Sequence, residues 1–170
     1  HPAPGYVAMN PLTAVCFLLL GSAFIAKLRY TANLTLKRVS FLFCMVVAVI
    51  AGWKILAIGM QSNYVLDQLL FTKKVSTDVT GGFTNNMAPN TAFCFFISAW
   101  AIVFTHSNKR FGLLLSQLSN IVVLLISVFS ILGYVFGAVE FYEVQNFIPM
   151  AIHTAICFLM LSLALFFSNP

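Results

Sequence analysis

Charge is what this sequence has least of. Of its 170 residues only 8% are Asp, Glu, Lys or Arg, and just four are acidic. A water-soluble surface on a chain of this size takes roughly 25% charged residues, so a soluble globular domain is excluded. Catalytic signatures are missing too. There is no HExxH, P-loop, GxSxG or GxGxxG, and catalysis therefore has no constellation to stand on. The chain is not expected to be an enzyme, to carry a cofactor or to bind nucleic acid. Its four cysteines, Cys16, Cys44, Cys94 and Cys157, form no CxxC and have no second ligand type at metal-site spacing. That argues against a disulfide framework or a zinc site.

What is abundant is apolar. Sixty-one per cent of residues are hydrophobic and the mean hydropathy is +0.96. Five apolar runs, at about 11–28, 38–60, 89–107, 111–137 and 149–168, are each long enough to cross about 30 Å of hydrocarbon as a helix. The expectation is an all-α integral membrane domain over residues 1–170, multi-pass in a bacterial inner membrane. Lys27, Arg29, Lys37 and Arg38 lie at or between the facing ends of the first two runs, and Lys109 and Arg110 between the third and fourth. Lys73 and Lys74 and all four acids (Asp67, Asp78, Glu140, Glu143) lie in the opposite loops. The positive-inside rule then puts the N-terminus outside and the C-terminus in the cytoplasm. Starting at His1 and stopping at Pro170, the chain reads as part of something longer. The segment 61–75 sets Val65, Leu66, Leu69 and Leu70 on one helical face, which predicts an amphipathic helix on the outer surface. Residues 80–86, with Gly81 and Gly82, read as a flexible loop.

One phrase is written three times. Met9-Asn-Pro-Leu-Thr13-Ala-Val-Cys16-Phe17 is followed by Met87-Ala-Pro-Asn-Thr91-Ala-Phe-Cys94-Phe95 and Met150-Ala-Ile-His-Thr154-Ala-Ile-Cys157-Phe158. The likeness extends to Gly21, Ala99 and Ser162, then to Ala23, Ala101 and Ala164. An internal repeat of this kind organises the whole fold. The unit reads as a helix pair, present twice, with the fifth helix as an unpaired half. Gly52 and Gly133 look like matching positions of the two even helices. With each Thr at position 0, residues 0, +3, +7 and +10 form one mostly small stripe. In lipid such stripes let backbones approach closely, so Cys16, Cys94, Cys157, Gly21, Ala23, Ala101 and Ala164 are assigned to packing, with the stripes of three parallel helices meeting at the centre.

The alternative role for the phrase is a ligand pocket at the outer mouth, built from Thr13, Thr91, Thr154, Asn90 and His153 with the nearby Glu140 and Glu143. Thiolates and thioethers in a ring would suit a soft ion, but nothing near the cysteines except helix N-termini would activate them, so no metal is expected. His153 takes the place of Leu12 and Asn90, at the start of the last helix, and is either an interfacial hydrogen-bonding residue or a ligand-contacting one. His106 lies about 24 Å deeper on its helix than His153 does on its own, so the two cannot share a haem. Lys54 is expected to snorkel to the outer interface. Gln117 and Asn120 are expected to make interhelical hydrogen bonds.

The strings Met87–Phe95 and Pro149–Phe158, together with Leu132-Gly-Tyr-Val-Phe-Gly137 and Leu66-Asp-Gln-Leu-Leu-Phe71, resemble the MASE-like multi-helix N-terminal membrane domain of bacterial sensor histidine kinases and diguanylate cyclases. The resemblance implies a signal-input role upstream of a cytoplasmic module, with an unknown small-molecule or membrane-dissolved signal and a homodimer formed through the longer protein. Ile152 departs from the pattern where the other copies have Pro11 and Pro89. A small repeat-derived transporter or channel is the alternative, though Lys54 is the only charge away from the ends of the spans.

Overall fold

The computed structural model describes residues 9–29, 34–60, 79–80, 83–84, 87–105, 110–136 and 150–168. Five helices carry the structure: α1 (Pro11–Arg29), α2 (Leu34–Gly59), α3 (Pro89–Phe104), α4 (Arg110–Val135) and α5 (Ile152–Phe167). They fall within a few residues of the apolar runs. α1, α2 and α4 are long and apolar enough to cross a membrane, while α3 and α5 are apolar helices of 16 residues. A two-residue ladder, β1 (Val79–Thr80) with β2 (Phe83–Thr84), pairs Val79 with Thr84 and Thr80 with Phe83. Thr80, Phe83 and Thr84 are thus paired where a loop was expected, and the rest of 80–86 lies outside the described residues. The expected amphipathic segment 61–75, His106, Glu140 and Glu143 lie outside the described residues.

The three copies of the phrase start their helices alike. The residues directly after each Met, namely Asn10, Ala88 and Ala151, stand at the helix boundary. Their carbonyls accept the first turn's bonds from Ala14 (3.3 Å), Ala92 (3.1 Å) and Ala155 (3.0 Å). Asn10 Oδ1 also accepts from the Leu12 N–H at 2.8 Å, as an N-cap should. Ala88 and Ala151 have no side-chain cap but share one extended backbone conformation, ψ 146° and 140°. Proline at the first helical position of α1 and α3 sacrifices no bond. The likeness continues to position +14, where Thr105 and Ser168 each close their helix by donating to the carbonyl three residues back, at 2.6 and 2.9 Å.

Packing then departs from the expected stripe. The odd helices meet through the Phe at +4. Phe17, Phe95 and Phe158 form a closed triangle with ring centroids 4.7, 4.6 and 4.7 Å apart and planes inclined by 59–61°. Edge-to-face and tilted geometry is what aromatic quadrupoles favour. Phe95 and Phe158 are fully buried. The small stripe instead faces sideways, toward the even helices. α2 packs against both α1 and α3, and α4 against both α3 and α5. Ser40 of α2 donates to the Ala23 carbonyl at 2.8 Å, and Ser116 of α4 donates to the Ala101 carbonyl, also at 2.8 Å. Both acceptors are position +10 of their copy. The bundle is therefore a repeat of one contact as well as one phrase.

That contact corrects the alignment of the even helices. Buried Ser40, Cys44, Val47 and Ala51 correspond to buried Ser116, Asn120, Val123 and Ser127, which leaves Gly52 and Gly133 out of step. Gly52 faces Phe96, whose ring lies 3.5 Å from where a Cβ would stand. The perimeter is as apolar as the interior, with Leu18, Leu42, Val49, Leu118, Phe129 and Val135 all exposed. Exposed apolar side chains on every outward face belong in lipid.

Two stability outcomes follow from these contacts. Phe95→Ala should destabilise the purified protein by about 3–5 kcal/mol, the usual cost of emptying an aromatic core site. Equilibrium unfolding in detergent would measure it, and a loss under about 1 kcal/mol would remove the triangle from the centre of the fold. Ser40→Ala and Ser116→Ala should each cost about 0.5–1.5 kcal/mol and add when combined, because the bonds are separate.

Candidate functional site

The alternative role for the phrase was a ligand pocket of Thr, Cys and Met at the N-terminal ends of the odd helices. Most of these side chains are enclosed, with Met9 half-buried and Cys157 exposed. Thr13, Thr91 and Thr154 are 2%, 3% and 2% exposed, and Met87 and Met150 are 2% exposed each. Cys16 and Cys94 are fully buried. Asn90 and His153, by contrast, are exposed at the position just before their Thr. At these helix ends Asn90 and His153 are therefore accessible and the adjacent threonines are covered. Among the described residues no group of three His, Cys, Asp or Glu side chains could hold a metal ion.

The packing assignments divide along the chain. Ala23 and Ala101 are buried with Cys16 and Cys94 on the faces toward α2 and α4. Cys157 is exposed and Ala164 half-buried. Gly21 is half-buried and open, with nothing within 4 Å of where a Cβ would stand. The third copy and one side of the first thus lack a neighbour that the second copy has.

Around α5 the polar contacts are few and specific. Tyr134 of α4 donates its hydroxyl to the Met150 carbonyl at 2.9 Å, holding the entry to α5. Asn120 donates through Nδ2 to the Ser162 carbonyl at 2.9 Å. The sequence pointed to Asn120 correctly, while Gln117 on the same helix is exposed. Lys27 Nζ donates to Ser168 Oγ at 3.5 Å, joining the last turns of α1 and α5. Among the described residues, Ser162 Oγ is the one buried side-chain oxygen or nitrogen without a hydrogen-bond partner. It stands where the other copies have Gly21 and Ala99.

At the far end of the bundle, a groove of about 720 Å³ is walled by Leu34, Phe41, Leu42, Val103 and Phe104, with Lys37 and Arg38 on its lining. These two cations, which mark topology in the sequence, thus stand beside an apolar trough. No stretch of either α2 or α3 alone carries that signal, because the groove exists only where the two helices cross.

The unpaired hydroxyl gives a sharp test. A buried polar group without a partner costs on the order of 1–3 kcal/mol, so Ser162→Ala should leave stability unchanged or raise it. A clear loss in the same unfolding assay would mean that the hydroxyl has a partner in the working protein.

No protein-family model, curated protein or solved structure matches this chain.

Proposed function

We propose that the chain is the membrane-embedded input domain of a bacterial signalling receptor. In this reading five helices cross the inner membrane, with the N-terminus outside. A periplasmic or membrane-dissolved cue acts at the outer ends of the odd helices, near Asn90 and His153, and α5 relays the change to a cytoplasmic module. The observation that carries the reading is the unequal support of α5. One side is held by α4, through Asn120 and Tyr134. Its contact with α1 consists of little beyond Phe158 on Phe17 and the long Lys27–Ser168 bond. A helix anchored on one side can shift or rotate against the other without dismantling the bundle, which is what a two-state relay needs. Three interlocked phenyl rings on the axis favour a relay over a conduit. The sensory resemblance of the phrase supports the same reading. In the longer protein, dimerisation would follow the needs of the output module.

Topology is the first thing to check. A green fluorescent protein fused after residue 168 should fluoresce in bacteria, whereas alkaline phosphatase fused there should stay inactive. The reverse pattern would reverse the relay and defeat the proposal. With the output module attached, Asn120→Leu should alter resting output several-fold by freeing α5. His153→Ala should change the response to an external cue while leaving resting output near wild type. A receptor indifferent to both substitutions would leave α5 without a role in signalling.

A further inference from the structure

The pseudo-threefold arrangement has two complete units and one incomplete one. On an odd helix, positions +3, +7 and +10 face the even helix that follows it. In the first two copies these are Cys16, Leu20 and Ala23, then Cys94, Ser98 and Ala101, and all six are at most 2% exposed. In the third copy, Cys157 is exposed and Leu161 and Ala164 are half-buried. Positions +5, +9 and +12 face the even helix that precedes. On α3 these are Phe96, Trp100 and Val103, all partly covered. On α1 they are Leu18 at 71%, exposed Ser22 and Ile25 at 54%. The two uncovered faces border one cleft, between α1 and α5, and Gly21 opens beside it.

We propose that this cleft is the docking site for one further membrane-spanning helix, supplied by a partner protein and antiparallel to α1 and α5, with a hydroxyl side chain that donates to the Ala164 carbonyl. The interface it completes already exists twice in the chain. The Ala101 carbonyl accepts both the Thr105 N–H at 3.2 Å and the Ser116 hydroxyl at 2.8 Å. The Ala164 carbonyl accepts the matching backbone bond, from Ser168 at 3.1 Å, and its side of α5 has neither α2 nor α4 against it. The partner helix would match the common face of α2 and α4: Ser, then a small polar residue four on, Val seven on, and Ala or Ser eleven on. A second copy has no such helix to lend, since its α2 and α4 are each held between two odd helices. The segment 61–75 carries Asp67, Lys73 and Lys74 and is too charged for hydrocarbon. That the helix comes from another chain rests on the relay reading, in which α5 leads to the cytoplasm. A span before His1 in a longer form of the protein is the rival occupant, and a cross-link seen here but lost in that longer form would overturn the assignment to a partner.

A synthetic peptide with the sequence of α4 serves as the probe, added to the intact chain in lipid nanodiscs. Seven residues along each of two antiparallel helices from the Ser116–Ala101 contact, about 10.5 Å, bring Val123 level with Cys94. In the cleft the same geometry brings it level with Cys157. A peptide carrying Val123→Cys should therefore form a disulfide with Cys157 under copper-phenanthroline and oxygen, several-fold more than one carrying Leu125→Cys, which lies on the opposite face. Gly21→Leu in the chain should suppress the cross-link while leaving its unfolding curve intact, and Ser116→Ala in the peptide should weaken it. Equal yields from the two cysteine positions, or from a scrambled peptide, would overturn the proposal. So would a Cys157–Cys157 dimer of the chain that the peptide cannot displace, which would assign the cleft to a second copy. The cross-link is read without any output module, so its failure leaves the relay tests standing. An inverted topology would instead remove only the reason for placing the helix in trans.

Discussion

The triangle of Phe17, Phe95 and Phe158 sets the dimensions of everything around it. Three rings in mutual edge contact need width, so the odd helices stand apart and touch through side chains. Their separation opens gaps wide enough for a helix, and α2 and α4 fill two of them. Between lipid-bathed helices there is no hydrophobic force to draw such gaps shut, because lipid tails are as apolar as leucine. Close packing and hydrogen bonds must do it. The sideways stripe supplies both: small residues at +3 and +10 admit the even helix, and its serine reaches the +10 carbonyl.

This division of labour explains what was legible in the sequence. Helix number and boundaries followed from apolar run length and from Pro11 and Pro89, since a helix start is a local matter. The repeat was visible in the spacing of Met, Thr, Cys and Phe. Its geometry was harder to read, because Thr, Cys and Ala suggested a tight centre and Phe is too common in a membrane chain to stand out. Nothing in a one-dimensional string says which of two adjacent helical faces points inward. The matched glycines Gly52 and Gly133 misled for a related reason. They are conspicuous residues, whereas the true correspondence runs through Ser40 and Ser116, which are marked only by what they touch.

The candidate site was legible in part. His153, the break in the pattern, stands exposed, as does its counterpart Asn90, and Asn120 makes the interhelical bond that a buried amide in lipid requires. The threonines are present at the same level but covered. Burial is a property of neighbours, and neighbours that are apart in sequence are joined only by the fold.

Threefold repetition also makes the exceptions informative. A residue that differs from its counterparts in the repeat marks a place where the repeated solution was not kept. Ser162 puts an unpaired hydroxyl where Gly21 and Ala99 have none. Asn120 replaces Cys44 and adds a bond to the Ser162 carbonyl. His153 replaces Leu12 and Asn90 at the start of the same helix. All three departures gather on or against α5, the helix whose outer face lacks the cover given to α1 and α3. A bundle built only for stability would have repeated the apolar solution there. Placing the polar exceptions on a helix with one uncovered side instead leaves α5 with contacts that can be exchanged, which is the property the proposed relay requires.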